Sequence, residues 1–405
     1  MRADARGAWS GHDVRVTLLT PEGREALRTA VQRVPRRAVQ DLMARADAAL
    51  EAEPPTVTKK TLIPPTGSKH DYMSLAIYFW PNPDTPDGLP YVARDGQVNP
   101  EVEDYDRPRM LAMHAAVETL TLAWRLTGKE GYARKAGELL RAWFLGRPTH
   151  MNPNMLCAQY IPGGDRAVTP LPTRRVEGPG GDAVYVAYGG VIEGCSLPAL
   201  LDTVGLLAES GRLTADDMAG LRDWFHRFLY WLLSHQHGQD EATAPNNHAS
   251  WFCAQAGAYA LFAGEEEVAR NILGSRVQER IRIQIEPDGS QPHELGRATS
   301  FKYTCFGLAS FFNCALMAER VGVDLWNWQT ADGRSLRRAL DWLMPYLAGQ
   351  PWPYRTLGAL DYSAAAPLLH MAARAWKDPA YTDALRHLPD YPEDHRYRLL
   401  YPAAG

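Results

Sequence analysis

A helical spacing of apolar residues runs through most of this 405-residue chain and constrains its fold more than any other feature. Apolar side chains recur every three or four residues, and turn-forming residues separate the segments, which is typical of amphipathic α-helices. Segments with the alternating pattern of β-strands are few. We therefore predict an all-α fold, whose clearest helices are 109–127, 130–145, 196–210, 214–234 and 335–348.

Two of these helices carry recognisable end signals. Thr214 followed by Asp217 is typical of an N-cap with an acidic first turn, and Gly128 has the place of a left-handed C-terminal residue. The predicted helices come in pairs, but no strict sequence period relates them. This favours a toroid of helical hairpins over a regular solenoid, with an irregular helical domain as the alternative. We expect 1–405 to form a single domain of this kind.

Two segments, 61–108 and 146–191, interrupt the helical pattern. Both are rich in Pro and Gly, and the first also carries many Asp and aromatic residues. Long ordered loops in a globular domain usually have a function, so we predict that these segments form the walls or lids of a cleft. Disorder is the alternative.

The charge of the chain limits its partners. The formal net charge is −4, which argues against a general nucleic-acid or membrane-surface binder. An acidic ligand would need a locally basic cleft. No apolar stretch reaches the length expected of a membrane span, so we predict no membrane insertion. The first 16 residues lack the apolar core of a signal peptide, so the chain is either cytoplasmic or the trimmed form of a periplasmic or secreted protein.

The cysteine pattern points to buried thiols. None of the five cysteines forms a C-x-x-C pair, and all lie in apolar or aromatic surroundings, at positions 157, 195, 253, 305 and 314. An odd number of cysteines within predicted helices does not favour a disulfide scaffold.

Two short segments carry a set of side chains suited to removing a proton beside a carboxylate. The first, NNHASW, contains Asn247 and His248; the second, DGSQPHELGRATSFKY, contains Arg297 and Tyr303. Elimination from a 4-linked uronate requires loss of the C5 hydrogen, which is weakly acidic because the neighbouring carboxylate is already negative. Arg, Asn and His can neutralise that carboxylate, and a phenol can then act as base and acid. Individually, each residue is more commonly structural.

Several longer motifs give the chain a resemblance to a known family. They run from about His70 to Tyr303 and include HDYMSLAIYFWPNPDTPDGLPY, DGQVNPE, MNPNMLCAQ, NNHASW and DGSQPHELGRATSFKY. With these motifs the chain resembles the alginate lyase superfamily of polysaccharide lyases. It is most similar to family 38, because family 5 members have one more residue between the Arg and the Tyr.

The resemblance implies an (α/α) toroid with a deep cleft, an acidic polysaccharide substrate, and no obligatory metal or other cofactor. It implies that Asn247, His248 and Arg297 neutralise the uronate carboxylate and that Tyr303 is the proton donor and acceptor. Glu294 would orient His248 or Arg297. Further candidates for substrate contact are Lys69, His70, Tyr72, Trp80, Asn154, Gln159, Trp251 and Glu294.

Three other interpretations stay open at the level of sequence. A metalloenzyme is one, since five potential ligands lie close together: His235, His237, Asp240, Glu241 and His248. A glycosidase is another, because toroids also carry paired carboxylates, for which Glu241, Asp288 and Glu294 are available. The third is a carbohydrate-binding protein that stacks sugars on aromatic rings without chemistry. Mannuronate and glucuronate differ only at C2, so the sequence does not separate them, nor does it give the oligomeric state.

Overall fold

The structure is a computed structural model, and it describes residues 36–164, 173–177, 183–187, 189–389 and 391. Helices dominate these residues. In chain order the α-helices are α1 Arg36–Glu51, α2 Asp106–Thr127, α3 Glu130–Leu140, α4 Leu197–Ala208, α5 Ala215–Ser234, α6 Gln236–Thr243, α7 Asn247–Ala263, α8 Glu266–Asn271, α9 Val277–Gln284, α10 Pro292–Leu295, α11 Ser300–Ala318, α12 Leu336–Leu347, α13 Ala366–Trp376 and α14 Pro379–His387.

The helices predicted from periodicity are confirmed, with ends that shift by a few residues. Thr214 accepts a hydrogen bond from the Asp217 N–H, and the Asp217 side chain accepts one from the Thr214 N–H, which completes a capping box for α5. Gly128 ends α2 in the left-handed conformation, at φ 69°. The segment 130–145 differs from a single helix, because α3 ends at Leu140 and continues as a π-helical turn, Arg141–Leu145.

The centre of the main core is the pair α7 and α11. Lys302 is the one residue of α11 that is not buried, and α7 is buried from Ala249 to Ala260. A helix that is apolar on all sides needs neighbours on all sides, and α7 has them in α5, α6, α11 and the 3-10 helix Gly190–Ser196. Ser250, in the first turn of α7, lies against Cys314 near the end of α11, with its carbonyl oxygen 4.0 Å from the thiol sulfur.

The two predicted loop segments contain strands that the sequence did not reveal. A four-stranded sheet has the order β1 Met73–Leu75, β4 Cys157–Ile161, β6 Ala183–Ala187 and β5 Thr173–Glu177. β1 and β4 are parallel, whereas the other pairs are antiparallel. A separate hairpin joins β2 Phe79–Trp80 to β3 Val92–Ala93. These strands have two to five residues, too few for an alternating pattern to stand out.

One helical segment corrects the expectation that no apolar stretch reaches the length of a membrane span. Gly190–Ala208, a 3-10 turn followed by α4, has a mean hydropathy of 1.5 over its most apolar window. However, 83% of that window is buried inside the protein. Its apolar character is therefore that of a core helix.

All five cysteines are buried and free, as predicted. Burial raises the pKa of each thiol, to about 12 for Cys157, Cys195 and Cys253. Apart from the parts of 146–191 that lie outside the described residues, the second loop segment contributes Met151, Met155, Ala158 and Val191 to the main core.

Candidate active site

Asn247 and His248 form the first turn of α7 and make one wall of the candidate site, which we call the core wall. Asn246 is the N-cap, and its side chain accepts a hydrogen bond from the His248 N–H at 3.3 Å. Pro245 precedes this cap and favours an extended chain before the helix. The cap thus satisfies one of the backbone N–H groups that have no partner within the helix at its start.

A buried carboxylate fixes Asn247. Glu294, in α10, accepts a hydrogen bond from the Asn247 N–H at 2.8 Å and another from the side-chain amide at 2.6 Å. Glu294 is 3% exposed and Asn247 is 1% exposed. Burial raises the pKa of Glu294, although both hydrogen bonds and the charges of Arg297 and His248 oppose that shift. Glu294 therefore orients Asn247, and not His248 or Arg297 as the sequence suggested.

A second buried carboxylate fixes His248. The imidazole Nδ1 lies 3.0 Å from Glu241 Oε1, and Glu241, in α6, is fully buried. Gly189 closes the other side with φ 89°: a Cβ there would lie 2.5 Å from Nδ1. The His248 side chain keeps 21% of its surface exposed. Because Nδ1 faces a buried group, the exposed part of the ring is the edge that carries Nε2.

Arg297 and Tyr303 form the opposite wall, which we call the loop wall. Arg297 lies in the connection between α10 and α11, and Tyr303 lies in the first turn of α11. The guanidinium donates a hydrogen bond from Nη2 to the phenol oxygen at 2.8 Å. Its central carbon lies 3.7 Å from the centroid of the same ring. A fixed positive charge thus rests directly against the phenol.

Two residues from the first loop segment hold this wall in place. Asp95 binds Arg297 with both carboxylate oxygens, at 3.1 Å from Nε and 2.5 Å from Nη2. The Ala298 N–H also donates to Asp95, at 2.8 Å. Tyr78 accepts a hydrogen bond from the Tyr303 hydroxyl at 3.0 Å. The loop wall is therefore completed by the chain between β1 and α2.

The environment of Tyr303 favours its protonated phenol. Burial raises its pKa well above the ordinary value, Tyr78 adds to this shift, and Arg297 opposes it. Burial alone would raise the pKa of Asp95, but hydrogen bonds from Arg297 and from the Ala298 N–H lower it. Among the groups around Tyr303, Arg297 is the one whose charge lowers the pKa of the phenol and so favours a phenolate.

The two walls meet through α10. The Arg297 N–H donates to the Glu294 carbonyl at 3.1 Å, so the residue that fixes Asn247 also begins the turn that leads to Arg297. Below them, the Trp251 ring packs against Phe306 with centroids 5.0 Å apart, and Phe306 meets the Tyr303 ring at 6.4 Å. The structure thus brings the four predicted reaction-centre residues to one place.

Three predicted substrate contacts are corrected by burial. Trp251 has no exposed surface and belongs to the packing between α7 and α11. Tyr72 is also fully buried, and its hydroxyl donates to Glu193. Neither ring has a face on which a sugar can stack. Glu294, at 3% exposure, likewise acts on Asn247 and not on a substrate.

Of the remaining candidates, Lys69 is exposed, and the others are partly exposed with identified contacts. His70 Nδ1 lies 2.6 Å from the His150 carbonyl, and the Asn154 amide donates to Asp71 at 2.9 Å. The Trp80 indole donates to the Gln97 carbonyl at 2.8 Å. These residues stay predicted substrate contacts.

Gln159 is unusual among these candidates because its backbone is left-handed. Its φ is 57°, which costs energy for a residue with a side chain. Its N–H donates to the Ser74 hydroxyl at 2.8 Å, and its side chain donates to the buried Glu193. The strained conformation is thus held by polar contacts with Ser74 of β1 and with the buried Glu193.

The sequence missed Asp95, Tyr78 and Gly189, and it assigned Glu241 to rival sites. Asp95 lies inside the quoted DGQVNPE motif and Tyr78 inside HDYMSLAIYFWPNP, so the resemblance marked both segments without indicating which side chain reaches the centre. Glu241 precedes His248 by seven residues, a spacing that one helix does not bring together. Only the turn between α6 and α7 places them in contact.

The rival sites lose their geometry in the structure. Among the described residues, no group of three or more His, Cys, Asp or Glu side chains is arranged to hold a metal ion. His235 instead caps α6 and stacks on Trp231. Two of the three carboxylates proposed for a glycosidase, Glu241 and Glu294, are buried against His248 and Asn247. The third, Asp288, is exposed and accepts a hydrogen bond from the Ser290 N–H at 2.9 Å.

The chain is similar to known proteins over most of its length. The profile of the alginate lyase family matches residues 56–352. An alginate lyase from Bacteroides ovatus is 34% identical, with a TM-score of 0.86 over 96% of this chain and 99% of that chain. Alginate lyase A1-III from Sphingomonas species A1 is 18% identical, with a TM-score of 0.51 over 93% of each chain. No curated protein sequence matches the chain significantly.

These similarities confirm two predictions. The structural neighbours bear out an all-α fold of the (α/α)-toroid type, and at 18% identity the Sphingomonas structure supports the fold alone. The family match spans both loop segments and both walls of the site, and the Bacteroides ovatus structure adds identity over nearly the whole length. The chain belongs to the alginate lyase family of polysaccharide lyases.

Proposed function

We propose that the protein cleaves alginate and related 4-linked uronate polymers by β-elimination, leaving a C4–C5 unsaturated uronate at the new end. The contact of Arg297 Nη2 with the Tyr303 phenol oxygen at 2.8 Å, opposite the Asn247–His248 turn, carries this proposal. In it, the Tyr303 phenol first releases its own proton to solvent; the phenolate then removes the C5 proton and passes that proton to the C4 oxygen as the C4–O bond breaks. Asn247 and His248 bind the uronate carboxylate as negative charge develops.

Arg297 has a different role in this proposal from the one predicted by sequence. Asp95 occupies two of its nitrogens, and the guanidinium lies against the Tyr303 ring. Its charge is thus best placed to stabilise the phenolate that accepts the C5 proton. Neutralisation of the substrate carboxylate would then rest mainly on the core wall.

The substrate preference is part of the proposal. In mannuronate and glucuronate the C5 hydrogen and the C4 oxygen lie on the same face, so a single tyrosine can serve both. In guluronate they lie on opposite faces, and His248 would have to act as base. We therefore propose poly-β-D-mannuronate or β-1,4-glucuronan as the preferred polymer, and family 38, with its Arg-to-Tyr spacing, as the place of the chain within the superfamily.

Initial rates on block-pure polymannuronate, polyguluronate and glucuronan test this function. The C4–C5 double bond absorbs in the ultraviolet, so product appears directly as absorbance. We expect polymannuronate or glucuronan to be cleaved fastest. Fastest turnover of polyguluronate would overturn the single-tyrosine mechanism, whereas new reducing ends without ultraviolet absorbance would indicate a hydrolase.

A further inference from the structure

We propose that Glu241 is a positioning residue that keeps His248 doubly protonated, so that its imidazolium binds the uronate carboxylate and does not act as a base. This inference rests on the proposed function and deepens it. It assigns a task to a residue that cannot touch the substrate, because Glu241 is fully buried. It also links that residue to the choice between mannuronate and guluronate.

The first support is the geometry of the pair. Glu241 Oε1 lies 3.0 Å from His248 Nδ1, within the range of a charge-assisted hydrogen bond. With Glu241 ionised, this contact requires a proton on Nδ1, which then donates to the carboxylate. Whether Nε2 also carries one depends on the charges around the ring, and a carboxylate at this distance favours the second proton.

The second support is the isolation of the Glu241 carboxylate. Its Oε2 is buried and has no hydrogen-bond partner among the described residues. A Cβ at Gly189 would lie 3.0 Å from this oxygen, so the backbone of Gly189 covers it. An ionised carboxylate in such a place needs a positive partner, and His248 is the cation that contacts it.

The other groups around His248 do not remove this preference. Burial alone would lower the pKa of His248, and the positive charge of Arg297 also lowers it. The charge and hydrogen bond of Glu241, with a smaller contribution from Glu294, outweigh both and raise the pKa above its ordinary value. Burial raises the pKa of Glu241, and the negative charge of Asp240 adds to this rise. The charge and hydrogen bond of His248 oppose it.

The consequence concerns catalysis. An imidazolium donates from Nε2 and carries a charge, which suits it to the carboxylate of the substrate, but it has no lone pair with which to accept the C5 proton of guluronate. Since a raised pKa keeps the imidazolium present to higher pH, mannuronate cleavage should persist to higher pH. Guluronate cleavage should appear only as His248 loses its second proton.

Glu241→Gln tests the proposal through the pH dependence of kcat. The amide still accepts a hydrogen bond from Nδ1 but carries no charge, so the alkaline limb on polymannuronate should move to lower pH by about one to three units. At a fixed pH, the ratio of polyguluronate to polymannuronate rate should rise. Glu265→Gln is the matched control, because Glu265 contacts His226 at 3.2 Å on the surface; its profile should stay that of the wild type.

A second measurement keeps the test decisive if Glu241→Gln does not fold. Nitrogen-15 NMR titration of histidine in the intact wild-type protein, assigned with His248→Gln, reports both ring nitrogens of His248 directly. We expect an imidazolium throughout the pH range of polymannuronate cleavage. A neutral ring in that range, an unmoved alkaline limb, or a moved acid limb would each overturn the proposal. Failure of the wild type to cleave any uronate polymer would instead refute the proposed function, and the titration would still decide the protonation state.

Discussion

The two walls of the site are held in place by different parts of the molecule. In the core wall, Asn247 and His248 are fixed by Glu294 and Glu241, which are buried in helices. In the loop wall, Arg297 is fixed by Asp95, whose side chain is 37% exposed and belongs to the segment between β3 and α2.

The two walls therefore differ in how firmly their residues are held. Buried carboxylates hold the core wall in one arrangement before any substrate arrives, which suits groups that must meet developing charge without reorganisation. The loop wall depends on a half-exposed ion pair, an interaction that water and salt weaken. Loss of the contacts that hold the core wall should therefore change the catalytic step itself. Loss of the contacts that hold the loop wall should change how often the site is correctly assembled.

Tyr303→Phe should have the largest effect, because it removes the reacting oxygen and keeps the packed ring. We expect kcat to fall by about 10²–10⁴-fold with KM little changed. Steady-state rates from ultraviolet absorbance measure this. Tyr381→Phe is the control, since Tyr381 is also buried and its hydroxyl donates to Asp341 at 2.6 Å. A Tyr303→Phe protein with more than about a tenth of the wild-type rate would mean that Tyr303 does not transfer the proton.

Gly189→Ala tests how tightly the core wall is fixed. The new methyl group would lie 2.5 Å from His248 Nδ1, so the imidazole must move. A displacement of about 1 Å at such a site can cost about a hundredfold in rate. The positive φ of 89° adds a backbone cost of about 1–2 kcal/mol to the free energy of folding.

A second glycine separates these two effects. Gly211 has a φ of 70°, and a Cβ there would meet no atom within 4 Å. Gly211→Ala should therefore have a similar cost in the free energy of folding, seen as a lower melting temperature. It should leave the rate unchanged. Equal losses of rate in both variants would show that the position of His248 is not as restricted as the geometry implies.

The sequence allowed prediction where the signal is local. Helices follow from apolar spacing over many residues, and the Thr214 capping box follows from residues three apart, so both are readable along the chain. The sheet is different, because its strands are short, and β1 pairs with β4 more than 80 residues away at Met73 and Cys157. Such pairings are set by tertiary packing, which no local pattern records.

In the candidate site, too, the local motifs were predictable and the long-range contacts were not. The four predicted residues lie in two motifs whose residue types already fit one reaction. Their supporting contacts cross long stretches of chain: Asp95 reaches Arg297 over 202 residues, and Tyr78 reaches Tyr303 over 225. Trp251 illustrates the opposite error, since an aromatic ring beside a reaction motif was predicted to bind sugar but packs in the core. A sequence motif shows which residue types are present, whereas burial decides whether a side chain can contact a substrate.

Arg297→Lys tests the chemistry of the loop wall. An ammonium keeps the charge but cannot contact both Asp95 oxygens and the Tyr303 phenol in the present arrangement. We expect kcat to fall by about ten- to a hundredfold, with a smaller change in KM. Arg374→Lys is the control, because Arg374 also binds a carboxylate with two nitrogens, at 2.8 Å each from Glu319. An unchanged kcat with a raised KM would assign Arg297 to ordinary substrate binding.

Asp95→Asn should have the smallest effect, because it alters the support of the loop wall and leaves the reacting groups in place. An amide offers Arg297 one acceptor oxygen in place of two, so we expect a loss of rate of about tenfold or less. The change in unfolding free energy should be at most about 1 kcal/mol, since the ion pair is partly exposed. Asp223→Asn, which breaks the surface pair with Arg227 at 2.9 Å, is the control.

The pH dependence of the unfolding free energy of this last variant tests whether the charge of Asp95 holds the loop wall. Hydrogen bonds from Arg297 and Ala298 outweigh the effect of burial and lower the pKa of Asp95 in the folded protein. The stabilisation from this pair is therefore present above the unfolded-state pKa and disappears as the pH falls through the lower folded-state value. Urea denaturation of wild type and Asp95→Asn should differ at neutral pH and converge in acid. A difference that stays constant with pH would mean that the Asp95 charge does not hold the loop wall, and the contrast between the two walls would then rest on Tyr78 alone.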